Sequence, residues 1–574
     1  MARQGSLFDW EPEPSSWEIA DQKDCLVAQV VFNRPLDTIY SYLVPESLRE
    51  LISPGQRVTV PFGRGDSRTT GYCVGLSTDS PTNRRLKTLL EVCDRDPLLS
   101  APMLELTRWI GERYLCGWGQ VLEAVIPAGV KKQAGTREIT AFGLNPEIDL
   151  DRLKLTAKQR AVIAVLSASD LSLPAPLLAE LAQCGTSPIR TLEKKGILIP
   201  ERRRSDVSEA DWVSVQPQDD LKLNDEQRAC LDRILELVRN QEHRTVLMHG
   251  VTGSGKTEVY IQAIREIVSY GQQAIVLVPE ISLTPQTIRR FRARFDTVAV
   301  LHSHLSDADR HWHWQQIAQG QVQVIVGARS AVFAPVPHLG LIIIDEEHET
   351  TFKQQTTPRY HACEVARERA RQANVPLILG SATPTLESLR RAQLGDDLLL
   401  TLKNRVESRP MPPVTLVDTR NDPFVTKGHS IGRALGQAIQ RSLHDRGQVI
   451  LFLNLRGYSP VLWCMKCQGI RCPDCDMTLT WHRDPGVMMC HSCEFQMPPP
   501  ERCPKCDQPG LRYLGSGTQR LEAEVKNKFP DARIVRMDSD SMKKVGSHDE
   551  VLERFREGRI DILLGTQMIA KGLD

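Results

Sequence analysis

No stretch of this 574-residue chain approaches the ~20 consecutive apolar residues that a membrane-crossing helix needs, so no membrane span is expected. A secretory signal is missing too. The first residues, MARQGSLFDWEPEPSSWEIADQ, mix Pro, Ser and acidic side chains without an apolar centre, which points to a reducing cytosol rather than a disulfide-forming compartment. Excess charge of either sign is lacking. With 72 basic against 71 acidic residues and a net charge of +1, bulk electrostatics gives no hint of nucleic acid, and any such reading needs local motifs. There is no tandem repeat. The 41% apolar and 25% charged content suffices for several ordinary cores, about four domains of ~150 residues each.

Cysteine is present in a pattern. Eight of the fifteen form four Cys-x-x-Cys pairs: Cys464/Cys467, Cys472/Cys475, Cys490/Cys493 and Cys503/Cys506. Two thiolates at that spacing can face one ion, and two such knuckles complete a tetrahedral zinc site, so eight ligands make two closed, structural sites. Disulfide staples are the alternative, disfavoured because the other seven cysteines are scattered singly. His482 and His491 read as surface residues rather than ligands.

Residues 1–22 read as a flexible tail. A β-rich domain over 23–125 follows, with the short runs CLVAQVVF, TIYSYLV, QRVTVPF and TTGYCVGL and a helix at Pro102–Tyr114. Over 150–207, LTAKQRAVIAVLS, PAPLLAELAQ and SPIRTLEKKGIL read as three helices before ILIPERRR, a winged-helix pattern; Ser187 and Pro188 open the third helix and Gly196 stops it. Arg190, Lys194, Lys195, Arg202, Arg203 and Arg204 outnumber Glu193 and Glu201 there, which favours phosphate contact; a protein-binding winged helix or a spacer is the other reading. From Leu221, apolar strands alternate with helices, the rhythm of parallel α/β sheets: one lobe over 221–400, and an incomplete second lobe over 401–463 and 507–574 with the cysteine insert, 464–506, between them.

Gly250-Val-Thr-Gly253-Ser-Gly255-Lys256-Thr257 fits the phosphate-binding loop directly after an apolar strand. Its glycines let backbone N–H groups wrap phosphates, Lys256 offers a point charge, and Thr257 offers a hydroxyl to Mg²⁺. Asp345-Glu346-Glu347-His348 ends a later strand, where Asp345 can hold Mg²⁺ through water and Glu346 can orient an attacking water. Upstream, the Gln227 amide can read adenine as donor and acceptor. Gly380-Ser381-Ala382-Thr383 carries hydroxyls able to report nucleotide state, and Arg329 in Gly327-Ala-Arg-Ser330 can grip a phosphate.

GVTGSGKTEVY, VPEISLTPQ, VGARSAVFAP, DEEH, GSATP, the four knuckles and GTQMIAKG together closely resemble the primosomal protein N′ helicase family of bacteria, in helicase superfamily 2, from about residue 23 to the end. The resemblance implies a multidomain α/β fold. Two RecA-like P-loop lobes, the second C-terminally truncated, would carry an inserted two-zinc, eight-cysteine module and follow a β-rich DNA-binding domain and a winged helix. It implies an ATP- and Mg²⁺-dependent 3′-to-5′ DNA helicase with two Zn²⁺, acting in the bacterial cytoplasm on branched and single-stranded DNA at stalled forks. Primosome and helicase-loading proteins and single-stranded DNA-binding protein would be its partners. A fork-recognition scaffold with little or no turnover is the competing reading, and another superfamily 2 translocase a third.

The resemblance further implies nested zinc pairing: Cys464, Cys467, Cys503 and Cys506 on one ion, Cys472, Cys475, Cys490 and Cys493 on the other. Spacing alone leaves consecutive pairing open. An aromatic-rich loop coupling DNA to hydrolysis would be Phe352-Lys353 to Tyr360-His361, its rings stacking on bases and its basic residues meeting phosphates. Three departures from the family pattern stand out. Ser41 replaces an aspartate of the 3′-end pocket, Leu455 replaces the first of two arginines, and GTQMIAKGLD stops before an arginine motif expected to complete the ATP site. The chain is therefore expected to be a fragment or shortened frame of an active helicase, or one that binds ATP and hydrolyses it poorly. Finally, Gln4-Gly-Ser-Leu7-Phe8 resembles the short peptides that dock on bacterial sliding clamps.

Overall fold

The computed structural model describes residues 25–78, 86–132, 136–145, 155–167, 173–174, 178, 182, 184, 187–194, 196–206, 217–280, 285–303, 305–406, 410, 412–425, 429–453, 461–464, 466–482, 486–514, 518–537, 547–566 and 569. The clamp-like peptide Gln4–Phe8, Lys195, Leu455 and most of GTQMIAKGLD lie outside them, as does most of the expected helix PAPLLAELAQ. The chain divides into two compact units, residues 1–280 with 291–406, and residues 281–290 with 407–574.

The first unit opens with an antiparallel sheet of β1 (Val27–Val31), β2 (Tyr40–Leu43), β3 (Arg57–Phe62), β4 (Ser67–Ser77) and β5 (Glu91–Val92), in the order β2-β1-β4-β3-β5. Alternation turns Val58 and Val60 of β3 into a core shared with Ala28, Val30, Tyr42 and Cys73. Two helices, α1 (Ala101–Arg113) and α2 (Trp118–Val125), close the domain. A Cβ on Gly119 would lie 1.8 Å from the Phe32 carbonyl oxygen, so only glycine lets α2 sit against the end of β1. Asp94, almost fully buried, takes Arg57 in a forked pair at 2.6 and 3.0 Å and accepts the Arg57 backbone N–H at 2.8 Å.

Next comes a small module in which β6 (Thr136–Leu144) pairs antiparallel with β8 (Leu198–Asp206), and β7 (Leu173–Pro174) flanks β6. Helices α3 (Ala157–Ser167) and α4 (Ser187–Lys194) pack beside them through Val162, Leu166, Ile189 and Leu192. Gly196 stands in the left-handed region after α4, at φ 73°. The long strand partner, β6, precedes the segment in which a winged helix was expected, and among the described residues it is the strand that pairs with β8, the ILIPERRR strand.

The rest of this unit is a seven-stranded parallel sheet. Its strands are β9 (Thr245–Gly250), β10 (Gln273–Leu277), β11 (Val298–Leu301), β12 (Val324–Gly327), β13 (Leu339–Asp345), β14 (Leu377–Ser381) and β15 (Leu398–Leu402), ordered β11-β12-β10-β13-β14-β9-β15. Strands covered on both faces read as continuous apolar runs, and Leu341–Ile344 are fully buried. The flanking helices include α5 (Asp225–Arg239), α6 (Lys256–Ser269), α7 (Ala362–Ala373) and α8 (Leu386–Leu394). The core of the sheet runs on into α1 and α2 of the N-terminal domain.

In the second unit β16 (Val449–Phe452), β24 (Ile562–Gly565) and β23 (Ile534–Met537) form a parallel sheet in the order β16-β24-β23. Between them in sequence lie two three-stranded antiparallel sheets: β17 (Val461–Cys464), β18 (Gln468–Gly469) and β22 (Arg512–Leu514), then β19 (Thr480–His482), β20 (Val487–Met489) and β21 (Gln496–Met497).

Candidate nucleotide, zinc and DNA sites

In a parallel sheet, ligand-binding loops gather at the carboxyl ends of the strands. Here β9 delivers the phosphate loop, β13 delivers Asp345 and Glu346, and the neighbouring β14 delivers Ser381. Gly253 and Gly255 take φ of 77° and 79°, a region that strains other residues. Lys256 opens α6, nearly buried, and its Nζ donates to the Gly250 carbonyl at 2.9 Å. Thr257 follows it, half-buried. The Ser254 Oγ is buried without a hydrogen-bond partner. A loop of this shape, with a lysine folded onto its backbone and an unsatisfied hydroxyl inside, fits a polyphosphate.

Gln227 is buried in this arrangement. Its Nε2 donates to the Ser254 carbonyl at 2.8 Å, and its Oε1 accepts the Asn224 N–H at 2.9 Å as part of a capping box for α5. One N–H and one lone pair of the amide remain for a base. Arg405, which the sequence alone did not single out, lays its guanidinium against the same loop: a Cβ on Gly253 would lie 3.0 Å from Nε.

Burial pushes the Asp345 carboxyl up to about 6, adjacent Glu346 adds to this, and Lys256 opposes it. A carboxylate so placed calls for a cation, which fits Mg²⁺. Glu346 is half-exposed and held at φ 51°, a left-handed conformation that costs a non-glycine residue energy and recurs at functional sites. The other two residues of DEEH have structural partners. Glu347 is buried and accepts the Thr385 N–H at 2.7 Å, capping α8. His348 Nδ1 meets Ser381 Oγ at 2.8 Å, tying the carboxylate loop to the GSAT strand.

All fifteen cysteines are free of disulfides. Eight gather into two four-sulfur groups, Cys464, Cys467, Cys503 and Cys506, and Cys472, Cys475, Cys490 and Cys493, which is the nested arrangement. The Sγ pairs Cys464–Cys506, Cys472–Cys493 and Cys475–Cys490 stand 3.6, 3.4 and 3.4 Å apart. Sulfurs ~2.3 Å from a tetrahedral zinc are separated by about 3.8 Å, so the groups have close to the right size. Three knuckles repeat one backbone form, with Asp476, Glu494 and Asp507 left-handed immediately after the second cysteine. Backbone N–H groups of Cys467 and Lys466 draw the Cys464 thiol down to about 7, and those of Cys493 and Ser492 do the same for Cys490. Cys506 and Cys493 gain the amides of Gln508 and Phe495, yet proton sharing with neighbouring thiols holds them up at about 12. Four thiolates cannot coexist there without a cation. His482, expected at the surface, is instead buried, with its Nε2 3.0 Å from that of His491.

Phe352 and Tyr360, expected to stack on bases, are core residues, 0% and 5% exposed. Tyr360 packs edge-on against Phe333 at 5.0 Å, and burial pushes its phenol up to about 12. The polar residues between them turn outward while the rings turn in. Lys353 remains partly exposed, donates to the Arg359 carbonyl, and places Nζ 5.2 Å from the centre of the Tyr114 ring at the end of α1. Arg329 donates to the carbonyls of Thr351 and Lys353 at 3.0 and 2.8 Å, while its Nε is buried without a partner. Arg329, Lys353 and Arg310 line a cavity of about 580 Å³ at the strand ends, with Ser330, Trp314 and Val125 among its other walls. In the N-terminal domain, Phe32, Tyr40 and Phe62 meet edge-to-face at 4.7–5.3 Å, and Arg34 lies 4.3 Å over Phe62.

Three family models match: the 3′DNA-binding domain over residues 29–127, the DEAD/DEAH box helicase over 224–392, and the PriA DNA helicase Cys-rich region over 472–498. The chain is 37% identical to the replication restart protein PriA of Bacillus subtilis, over 95% of this chain and 76% of that one. It is 35% identical to that of Chlamydia pneumoniae, over 96% and 74%, and 34% identical to that of Haemophilus influenzae, over 95% and 74%. Among solved structures, RecG bound to a three-way DNA junction aligns with 60% of this chain and 36% of that one at 19% identity and a TM-score of 0.34, too low to carry an argument. A helicase domain with a phosphate loop and a carboxylate loop at the carboxyl edge of one parallel sheet, on strands either side of β14, a cysteine-rich module and identity above 30% across most of both chains agree, and the chain belongs to the PriA family of replication restart proteins.

Proposed function

We propose that this chain is an ATP-dependent DNA helicase that remodels stalled or abandoned replication forks and promotes reloading of the replicative machinery. Its cofactors are ATP with Mg²⁺ and two zinc ions. The observation that carries the reading is the convergence of Lys256, Asp345 and Glu346 at the carboxyl edge of one parallel sheet. Lys256 and the amides of Gly250, Gly253 and Gly255 would hold the phosphates, Thr257 and Asp345 the cation, and Gln227 the adenine, while Glu346 would orient the attacking water. The eight knuckle cysteines would fold the insert around its two zinc ions.

DNA contact is assigned to Arg329, Lys353 and Arg310 around the strand-end cavity. Capture of a 3′ end is assigned to the N-terminal domain, whose partly buried Tyr40 and Phe62, backed by the core residue Phe32, lie beside the Arg34 cation. Duplex contact falls to the β6–β8 module. Translocation would run 3′ to 5′ on single strands. Primosome and helicase-loading proteins, single-stranded DNA-binding protein and, through Gln4–Phe8, the sliding clamp are the proposed protein partners, at forks in the bacterial cytoplasm. No helix among the described residues is long and apolar enough to cross a membrane.

The test compares the wild type with Lys256→Ala for DNA-stimulated ATP hydrolysis, fork unwinding and restart in cells lacking the native protein. All three should fail in the variant. Restart at wild-type level by Lys256→Ala would mean that the chain works as a scaffold. For the clamp, a labelled peptide of residues 1–20 should bind and its Leu7→Ala/Phe8→Ala form should not; equal affinities end that part of the proposal.

A further inference from the structure

Tyr260 lies one helical turn beyond Lys256 on α6 and is 1% exposed. Its hydroxyl donates to Asp345 Oδ1 at 3.3 Å. The next strand makes room for it. Gly380 is the cross-strand partner of Asp345, and a Cβ on that glycine would fall 1.6 Å from the Tyr260 Oη and 2.8 Å from its Cζ. Any other residue at 380 would therefore drive the phenol out. Facing a carboxylate, which only accepts, the hydroxyl is the donor of this bond. A tyrosine on the phosphate-loop helix thus passes under the GSAT strand to grip one oxygen of the carboxylate that ends β13.

We propose that Tyr260 is a positioning residue for the divalent cation: by occupying Oδ1 it fixes the rotation of the Asp345 carboxylate and leaves Oδ2 to face the cation's water. A buried phenol needs some acceptor, but a backbone carbonyl would have served that need. The choice of Asp345, and of glycine at its cross-strand partner, ties the hydroxyl to metal geometry. The inference rests on the reading of this site as one for ATP and Mg²⁺.

The test is Tyr260→Phe in the full 574-residue chain, measured with a fluorescent, non-hydrolysable ATP analogue. Without Mg²⁺, where phosphate-loop contacts dominate, affinity should stay within twofold of wild type. The Mg²⁺ concentration giving half-maximal enhancement should rise about tenfold, the scale of one lost hydrogen bond to a charged group. Gly380→Ala, which displaces the same hydroxyl from the other side, should shift the Mg²⁺ midpoint similarly, and should shift it less in the Tyr260→Phe background. An unchanged midpoint in Tyr260→Phe overturns the proposal. So does a parallel loss of metal-free binding, which would mark Tyr260 as mere packing. If the wild type itself bound no nucleotide, the assignment of the whole site would fall and this inference with it.

Discussion

Replacing Asp345 with asparagine should make the metal-free protein more stable while destroying its function. The carboxyl is pushed from 3.8 to about 6 by burial and by Glu346. Between those two values the unfolded chain has released this proton while the native chain still holds it. Stability therefore falls as pH rises from about 4 to about 6, and stays lowered above that. A shift of about two units corresponds to about 3 kcal/mol at most. Asparagine keeps the shape and can still accept from Tyr260 at Oδ1, but it carries no charge to bury. In EDTA at pH 7.5 the transition of the first lobe should move up by several degrees, since ~1 kcal/mol shifts a domain of this size by about 2–4 °C. At pH 4.5 most of that gain should vanish, because the wild-type carboxyl is then protonated in the fold. Calorimetry at the two pH values is the assay. A lower or unchanged Tm at pH 7.5, or an equal gain at pH 4.5, would refute the reasoning. The same variant should lose the Mg²⁺-dependent part of nucleotide binding, so that adding Mg²⁺ to the ATP analogue raises the Tm of the wild type further and leaves that of the variant where the metal-free analogue put it.

Phe352→Ala should cost about 3–5 kcal/mol of stability, read as a fall in Tm, because the ring is fully buried. Lys353→Ala, at a partly exposed position, should leave Tm within about a degree while lowering DNA-stimulated ATP hydrolysis; the reverse ranking of the two variants would return the ring to the DNA surface. Glu346→Gln should retain nucleotide and lower turnover by at least ~10²-fold, checked by pairing analogue binding with steady-state hydrolysis. Cys490→Ser should reduce bound zinc from two ions per chain to one by elemental analysis, since each sulfur group is closed within itself.

The phosphate loop, the carboxylate strand and the cysteine knuckles could be read from sequence because their chemistry depends on residues only a few positions apart. Local spacing sets φ at Gly253 and Gly255 and sets the bite of each Cys-x-x-Cys pair. The aromatic loop misled for the opposite reason. The polar run KQQTTPR described the solvent side of the segment, whereas the fate of Phe352 and Tyr360 was decided by Phe333 and Arg329, about twenty to thirty residues away. β6 escaped notice because its mate, β8, lies far along the chain, beyond α3 and α4. Nothing local to Tyr260 announces its role either. That depends on a glycine 120 positions later, visible only once β13 and β14 are side by side.

Several of the places where this chain departs from ordinary rules of folding lie where its ligands belong. Asp345 is a carboxylate buried beside another acid, Glu346 takes a backbone conformation that resists a side chain, and Ser254 hides a hydroxyl with no partner. Four sulfurs crowd together twice. Each of these is unfavourable in the bare protein and is relieved by a ligand of a definite class: a cation at the carboxylates and the thiols, phosphate oxygens at the loop. The surrounding structure can sustain them because the seven-stranded parallel sheet is covered by helices and continuous in its core with α1 and α2. Strain retained in a stable frame requires that ligand binding and local stability change together at each site. The asparagine substitution isolates that link: it removes the demand for the cation, and the lobe should become more stable for having lost it.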